Sequence, residues 1–369
     1  MPRKDAEMEL ALALKRLIRC HPLDKITVTM LATEAAKKVA RAIVVESDGA
    51  EKRIPLTEND QVYITDGGCV ENATWGSQNT VAKVDPEIRP GGGWDMWRRI
   101  AAQAPDGSLG HPVVFCSDPE QSNWMSATVD TDDPEILSAI QHICRRDPLS
   151  GRVVTSGIVT ARDSKWLLSW TINRQPQFKT QPKGHVLVWV YAPFTDREGD
   201  FVKKPMRECT GAEACEEWLY HVGIPEDRIV SLAQEHANTT TCYMPYITAF
   251  FMPRNDTDRP KVVLEGAVNF AFIGQFAEVA RDTIFTTEYS MRIGMEAVYT
   301  LCNVDRGVPK VWGSVYDVRC LLDATTKLQD GRKVTDMKLP LIERKALETA
   351  LRKVKGTDID KLLKEYGVI

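Results

Sequence analysis

The alternation of apolar and polar residues along the chain marks out its strands before any other feature is considered. Lys38 to Ser47 and Lys52 to Thr57 alternate on either side of Asp48-Gly49, a dipeptide that suits a tight turn, and this predicts a β-hairpin. Gln61 to Thr65 is a mostly apolar strand running into Asp66-Gly67-Gly68. Arg152 to Val159, Trp166 to Asn173 and His185 to Ala192 carry the β-branched and aromatic residues of buried or half-buried strands, and one sheet is expected to hold all three. Val268 to Ile273 is a short apolar strand stopping at Gly274.

Three-to-four spacing of apolar residues marks the helices. Trp94 to Gln103 follows the glycine run 91–93, and Asp133 to Arg145 has acids at its start and bases at its end. Thr210 to Val222 has Thr210 at its N-cap, Glu213 at the capping-box position and Gly223 beyond its end, and a second helix is predicted from Glu226 to about Ala237. Thr287 to Cys302 follows the strand that ends at Gly274. The tail from Val315 is helical, notably Leu339 to Val354 and Asp358 to Tyr366, and such a tail packs as a cap, meets another subunit or lies on lipid.

Composition narrows the function. The 369 residues are 43% hydrophobic and 27% charged, enough for a substantial core in two or more structural units. A formal charge of -4 with a pI near 6.0 gives no attraction for nucleic acid. Nine scattered cysteines form neither a Cys-x-x-Cys pair nor a zinc-spaced cluster, which points to reduced thiols in a cytoplasmic protein with no metal centre. No apolar run is long enough to span a bilayer, and the opening residues do not read as a signal peptide, so any membrane contact is expected to be peripheral.

Candidate chemistry is sparse. No Gly-x-Gly-x-x-Gly follows a strand, and there is no Gly-x-Ser-x-Gly, Walker loop or His-Glu-x-x-His. Three segments stand out. In Ser169 to Gln177, Thr171 and Asn173 project from one face of a strand and Gln177 follows the Pro176 break; they either bind a carboxylate or amide, or satisfy backbone at a strand end. From Gly274 to Ser290, a strand ends in glycine ahead of a helix opened by threonines; its free N–H groups suit flavin oxygens or phosphate, or Thr286 is simply a cap. Thr65 to Gly68 is a close approach to a cofactor or an ordinary turn.

Taken with Arg152 to Thr160, Trp170 to Pro176, Tyr191, Asp200 to Thr210, Met244 to Thr248, Val268 to Glu278 and Asp305 to Pro309, these segments resemble the oleate hydratase family, the myosin-cross-reactive antigens, from about Lys38 to the C-terminus. The resemblance implies an α/β fold with α+β elements: a partial FAD-binding domain of the glutathione-reductase and amine-oxidase kind, a mixed-sheet substrate domain and a helical C-terminal cap. The corresponding boundaries are an unmatched segment 1–37, an FAD-domain hairpin and strand with the start of the substrate region at 38–115, the fatty-acid domain at 116–265, a return to the FAD domain at 266–310 and the cap at 311–369. It also implies a homodimer that adds water to the cis-9 double bond of unsaturated fatty acids such as oleate, giving 10-hydroxy acids, with FAD shaping the site.

Carried over residue by residue, the family's carboxylate-binding Thr-x-Asn-x-x-x-His pattern falls on Thr171, Asn173 and Gln177, where glutamine replaces the histidine and its positive charge. Thr65, Gly67, Gly274, Gln275, Phe276, Thr286 and Thr287 fall in the segments that approach the flavin. The glycine fingerprint and the catalytic glutamate and tyrosine are expected upstream of this sequence, so the resemblance implies an N-terminally truncated chain that is inactive alone, and Glu278 and Tyr289 do not fill those roles. A non-catalytic remnant that binds lipid or a partner is the alternative.

Overall fold

A computed structural model describes the backbone of residues 25–33 and all of 37–47, 49–282, 284–309, 311, 313 and 317–369. The chain divides into two compact units, the larger running to Val279 and taking in Ile284–Gly307, the smaller comprising Ala280–Thr283 and Val308–Ile369. Both helices and sheets build the larger unit, as the mixed α/β expectation requires.

The predicted hairpin is present: β2 (Lys37–Ser47) pairs antiparallel with β3 (Ala50–Pro55), Ser47 facing Ala50 across the turn. Residue 48 of that turn lies outside the described residues. A strand ahead of it, β1 (Lys25–Thr33), pairs with β2 and completes a three-stranded sheet. β4 (Val62–Thr65) pairs in parallel with β11 (Phe270–Ile273), residues separated by about two hundred positions in sequence. The fully buried Asn269 joins these parts: its Oδ1 accepts from Ala40 N at 2.8 Å and its Nδ2 donates to Ala40 O and Thr57 O, each at 3.0 Å. The helices α1 (Gly93–Ala101) and α5 (Thr287–Leu301) bury Ile100, Tyr289, Ile293 and Ala297 against the strand pair.

The second part of this unit is a six-stranded sheet in the order β5 (Thr74–Trp75), β10 (Ala237–Met244), β6 (Trp124–Thr131), β9 (Val186–Ala192), β8 (Ser169–Thr171), β7 (Val159–Thr160). The three predicted strands do share it, but two are shorter than expected. Of Arg152 to Val159 only the last residue enters a ladder, because the Thr155 hydroxyl and N–H bond instead to the backbone of Ile172. The interior strands β6 and β10 have no counterpart in the sequence reading. Glu226 starts a helix that ends at Glu235, not Ala237, since Ala237 already pairs with Thr131 in the sheet.

One face of this sheet is dry. Met125, Ala127, Val129, Val186, Val188, Val190 and Trp170 pack against α2 (Pro134–Cys144), α3 (Gly211–Val222) and α4 (Glu226–Glu235). α3 begins with the predicted capping box, Thr210 and Glu213 satisfying each other's backbone N–H, and ends at Gly223 in the left-handed conformation. In the smaller unit, α6 (Val318–Leu328), α7 (Leu341–Val354) and α8 (Asp358–Glu365) confirm a helical tail. Leu328, Leu341 and Ile342 are exposed on it, and no described helix is long and apolar enough to cross a membrane.

Candidate functional site

The parallel pair β4/β11 brings most of the predicted flavin-facing residues to one place, at the C-terminal ends of two adjacent strands, where open α/β sheets bind their ligands. Thr65 faces Ile273 in the ladder, and a Cβ on Gly274 would stand 2.9 Å from the Thr65 methyl. Gly274 has φ +90, so glycine is required there on both counts. Gln275 accepts a 2.6 Å hydrogen bond from Phe285 N, which ties this strand end to the start of α5. There Thr286 caps the helix by accepting from Tyr289 N at 3.1 Å, so the capping reading of Thr286 is realised, and Thr287 is the first helical residue.

Gly67 and Phe276 meet, but within an aromatic core. A Cβ on Gly67 would lie 2.8 Å from the Phe276 ring and 2.9 Å from Trp94, and Phe276 also packs on Trp97 and Phe115. Between Thr65 and Gly67 sits a residue that sequence reasoning passed over. Asp66 is 2% exposed, neither carboxylate oxygen has a hydrogen-bond partner, and burial pushes its acid well above the ordinary aspartate range. The nearby N-terminus of α1 is filled by protein, since Glu71 Oε2 accepts from Trp94 N at 3.2 Å. This strand end therefore fits hydroxyl or N–H groups of a ligand better than it fits phosphates, because the helix N-terminus that would receive a phosphate is already taken by Glu71.

Thr171 lies on the other sheet, with Asn173 two residues beyond the end of its strand. Trp170 and Ile172 are buried in the helical core, and Thr171, the last residue of β8, takes the opposite, outward face. The Thr171 hydroxyl lies 2.9 Å from that of Thr155, which fixes its rotamer, and the Asn173 side chain is exposed. Gln177 is exposed beyond the cis Gln175–Pro176 peptide, and its backbone N–H donates to Gln181 Oε1 at 2.8 Å. The residue that organises this turn is Gln175, 3% exposed, whose Oε1 accepts from Leu187 N and from Gln181 Nε2. The turn around Gln175 separates Thr171 and Asn173 from Gln177.

Away from both places, Glu217 is the most heavily bonded acid described. It is fully buried on α3 and accepts from the backbone N–H of Asp200, Phe201 and Val202 at 2.7, 2.9 and 2.8 Å, with His221 Nε2 3.2 Å away. Burial alone would raise its pKa; His221 and the three N–H groups outweigh that and hold it below the ordinary glutamate value. Asp200, Glu217 and His221 have the composition of a metal site, yet both Glu217 oxygens already serve the 199–202 loop, so the group works as a latch. A cleft of about 360 Å³ lined by Lys38, His111, Arg259, Lys261, Asp256 and Glu265 holds none of the predicted site residues.

Fold and sites together define a mixed α/β protein with two chemically distinct candidate surfaces, a parallel strand end beside a buried acid and an outward sheet face carrying Thr171. Residues 21–299 match the MCRA family model, and the chain belongs to the MCRA family. The match starts ahead of Lys38, taking in β1. The chain is 46% identical over 351 residues to an oleate hydratase of Streptococcus pyogenes serotype M49 (strain NZ131), covering 94% of this chain and 58% of that protein. It is 29% identical over 318 residues to a linoleate hydratase of Lactiplantibacillus plantarum, covering 83% of this chain and 53% of that one. It therefore spans a little over half the length of the curated relatives it matches.

Proposed function

We propose that this chain carries the fatty-acid-binding part and the flavin-facing strand ends of a hydratase that adds water to the cis-9 double bond of unsaturated fatty acids such as oleate, giving 10-hydroxy acids. The observation that carries the reading is the extent of the likeness to an oleate hydratase, 46% identity over 351 residues, together with a family match that takes in Thr171 and Asn173. An alkene has no polar handle, so its position must be set from the carboxylate at the far end of the chain. Thr171 and Asn173 are proposed to hold that carboxylate through hydrogen bonds; Gln177 supplies no charge, and its exposure makes it the weakest member of the set.

FAD is the proposed cofactor, with Thr65, Gly67, Gly274, Gln275 and the Thr286-Thr287 helix start around it and Asp66 receiving one of its hydroxyl or N–H groups. When bound, the flavin would shape the site and stabilise positive charge developing on the alkene. The protein's part is to hold the acyl chain in register and keep water ordered. The family's boundaries, with an FAD region on either side of a 116–265 substrate region and a cap from 311, belong to the same proposal, as do a homodimer, a cytoplasmic location and peripheral contact with membrane.

Taken alone, the 369 residues are proposed not to turn over, because no Gly-x-Gly-x-x-Gly follows a strand in them and neither Glu278 nor Tyr289 is placed for proton transfer. Glu278 is paired with Arg254 at 2.8 Å, and the Tyr289 hydroxyl donates to Ala277 O. The lipid-binding reading without chemistry then describes the isolated polypeptide. Incubation with oleate and FAD, followed by mass spectrometry for 10-hydroxystearate and by flavin absorbance, tests this: oleate binding without product is expected. Product would place a catalytic acid among these residues; absence of oleate binding would remove the fatty-acid reading itself.

A further inference from the structure

The outward face of the six-stranded sheet has a pattern that the dry face does not explain. Strand register places Thr171 directly beside Trp189 on β9, and two residues along β9 Tyr191 lies beside Ser126 on β6. Trp189 stacks on Tyr191 at 4.7 Å between ring centroids, and Tyr191 meets Trp124 of β6 at 4.8 Å. Across β10, Cys242 is opposite Ser126 on one side and Trp75 of the edge strand β5 on the other, which puts Trp75 on this same face. Trp189 is 38% exposed and Trp75 69% exposed, large apolar rings left toward solvent on a face that also carries Ser126, Thr128, Thr240 and Cys242 between them, with Asp130 and Leu187 at the far end of β6 and β9. Polar donors thus stand at one side of the sheet and aromatic rings continue from them toward the other.

We propose that this face is the acyl track: a long-chain carboxylic acid anchored at Thr171 and Asn173 lies across the strands, with its first half on Trp189, Tyr191 and Trp124 and its distal half reaching Trp75. This rests on the fatty-acid reading above and names the residues that position the chain. The distances favour it over a binding mode along one strand. Strands lie about 4.8 Å apart, so β8 to β6 is about 10 Å, the reach of about the first nine carbons of an extended chain, and β8 to β5 is about 19 Å, close to the length of an eighteen-carbon acid. The carbons that take up water would then lie over Trp124 and Tyr191. Arg174, exposed next to Asn173, supplies a positive charge on the carboxylate side.

The test is calorimetric binding of oleate and of ten-carbon decanoate to the intact chain and to Trp189→Ala, Trp75→Ala and Thr171→Ala. Both tryptophans are on the outer face, and matching circular dichroism and melting curves establish that the variants fold. Trp189→Ala is expected to weaken both acids by about tenfold, and Trp75→Ala to weaken oleate several-fold while leaving decanoate unchanged. Oleate binding that survives both tryptophan changes but is lost in Thr171→Ala overturns the track and leaves the fatty-acid reading standing. Failure of the unaltered chain to bind either acid overturns both. Equal weakening of decanoate and oleate by Trp75→Ala overturns the direction assigned to the chain.

Discussion

Removing the Glu217 carboxylate is expected to be the most costly single change in the sheet and helix core. In Glu217→Ala the N–H groups of Asp200, Phe201 and Val202 lose their acceptor together, and His221 loses one of its two acidic neighbours. Val202 is buried, so its donor has little access to water, while Asp200 and Phe201 are half-buried and recover part of their bonding from solvent. One fully and two partly unsatisfied donors at about 1–3 kcal/mol each give a loss of about 3–5 kcal/mol. That is a large fraction of the roughly 5–15 kcal/mol that holds an ordinary domain together. Because the folded-state pKa of Glu217 lies below its unfolded value, its contribution is full above the unfolded pKa and is lost as pH falls through the folded one. Urea unfolding of the chain and of Glu217→Ala and Glu217→Gln, repeated from neutral pH down through the carboxylate range, measures both effects. A loss under about 1 kcal/mol with an unchanged acid limb would falsify the latch. Gly199→Ala probes the same contact from the other side, since a Cβ there would stand 2.6 Å from Glu217 Oε2.

Asp66→Asn acts in the opposite sense with pH. The folded-state pKa of Asp66 is raised, so the unfolded chain ionises first and stability declines as pH rises above the ordinary aspartate value, by about 1.4 kcal/mol per pH unit until the folded acid also ionises. The variant should lose that decline and gain stability at neutral pH but not at pH values where both states are protonated; identical pH profiles for the two proteins count against a buried, unpartnered acid. Asn269→Ala deletes three hydrogen bonds between the hairpin region and β11, and a loss of about 2–4 kcal/mol is expected in the same urea assay. The double change Thr171→Ala with Asn173→Ala should weaken oleate binding by about tenfold or more, without a comparable loss of stability because the Asn173 side chain is exposed; unchanged affinity would place the carboxylate elsewhere.

Much of the architecture was legible because its signals are local. Alternation around Asp48-Gly49 specifies the β2/β3 hairpin, and Thr210, Glu213 and Gly223 specify both ends of α3 within fourteen residues of chain. The resemblance carried by the Trp170 and Gly274 segments pointed to the family that the comparison then showed. Two interior strands of the six-stranded sheet were not legible. β6 reads Trp-Met-Ser-Ala-Thr-Val-Asp-Thr and β10 reads Ala-Asn-Thr-Thr-Thr-Cys-Tyr-Met, and their many threonines and small residues suit a loop as well as a strand until neighbours are in place. Arg152 to Val159 shows the converse, strand-like in composition but without a regular ladder to join.

By itself the sequence determined which segments prefer strand or helix and where turns and caps fall, because each of these follows from the period of the backbone and from side chains a few residues apart. Tertiary structure decided what no window of sequence contains: the parallel meeting of β4 with β11, the latch from Glu217 to the 199–202 loop, the isolation of Asp66, and the placing of Thr171, Trp189, Tyr191 and Trp75 on one face across five strands. The physical reason is that burial and hydrogen-bond satisfaction are properties of the closed chain. The same aspartate is an ordinary turn residue in sequence and an unpartnered buried acid only when Trp94 and Phe276 close over the glycine beside it.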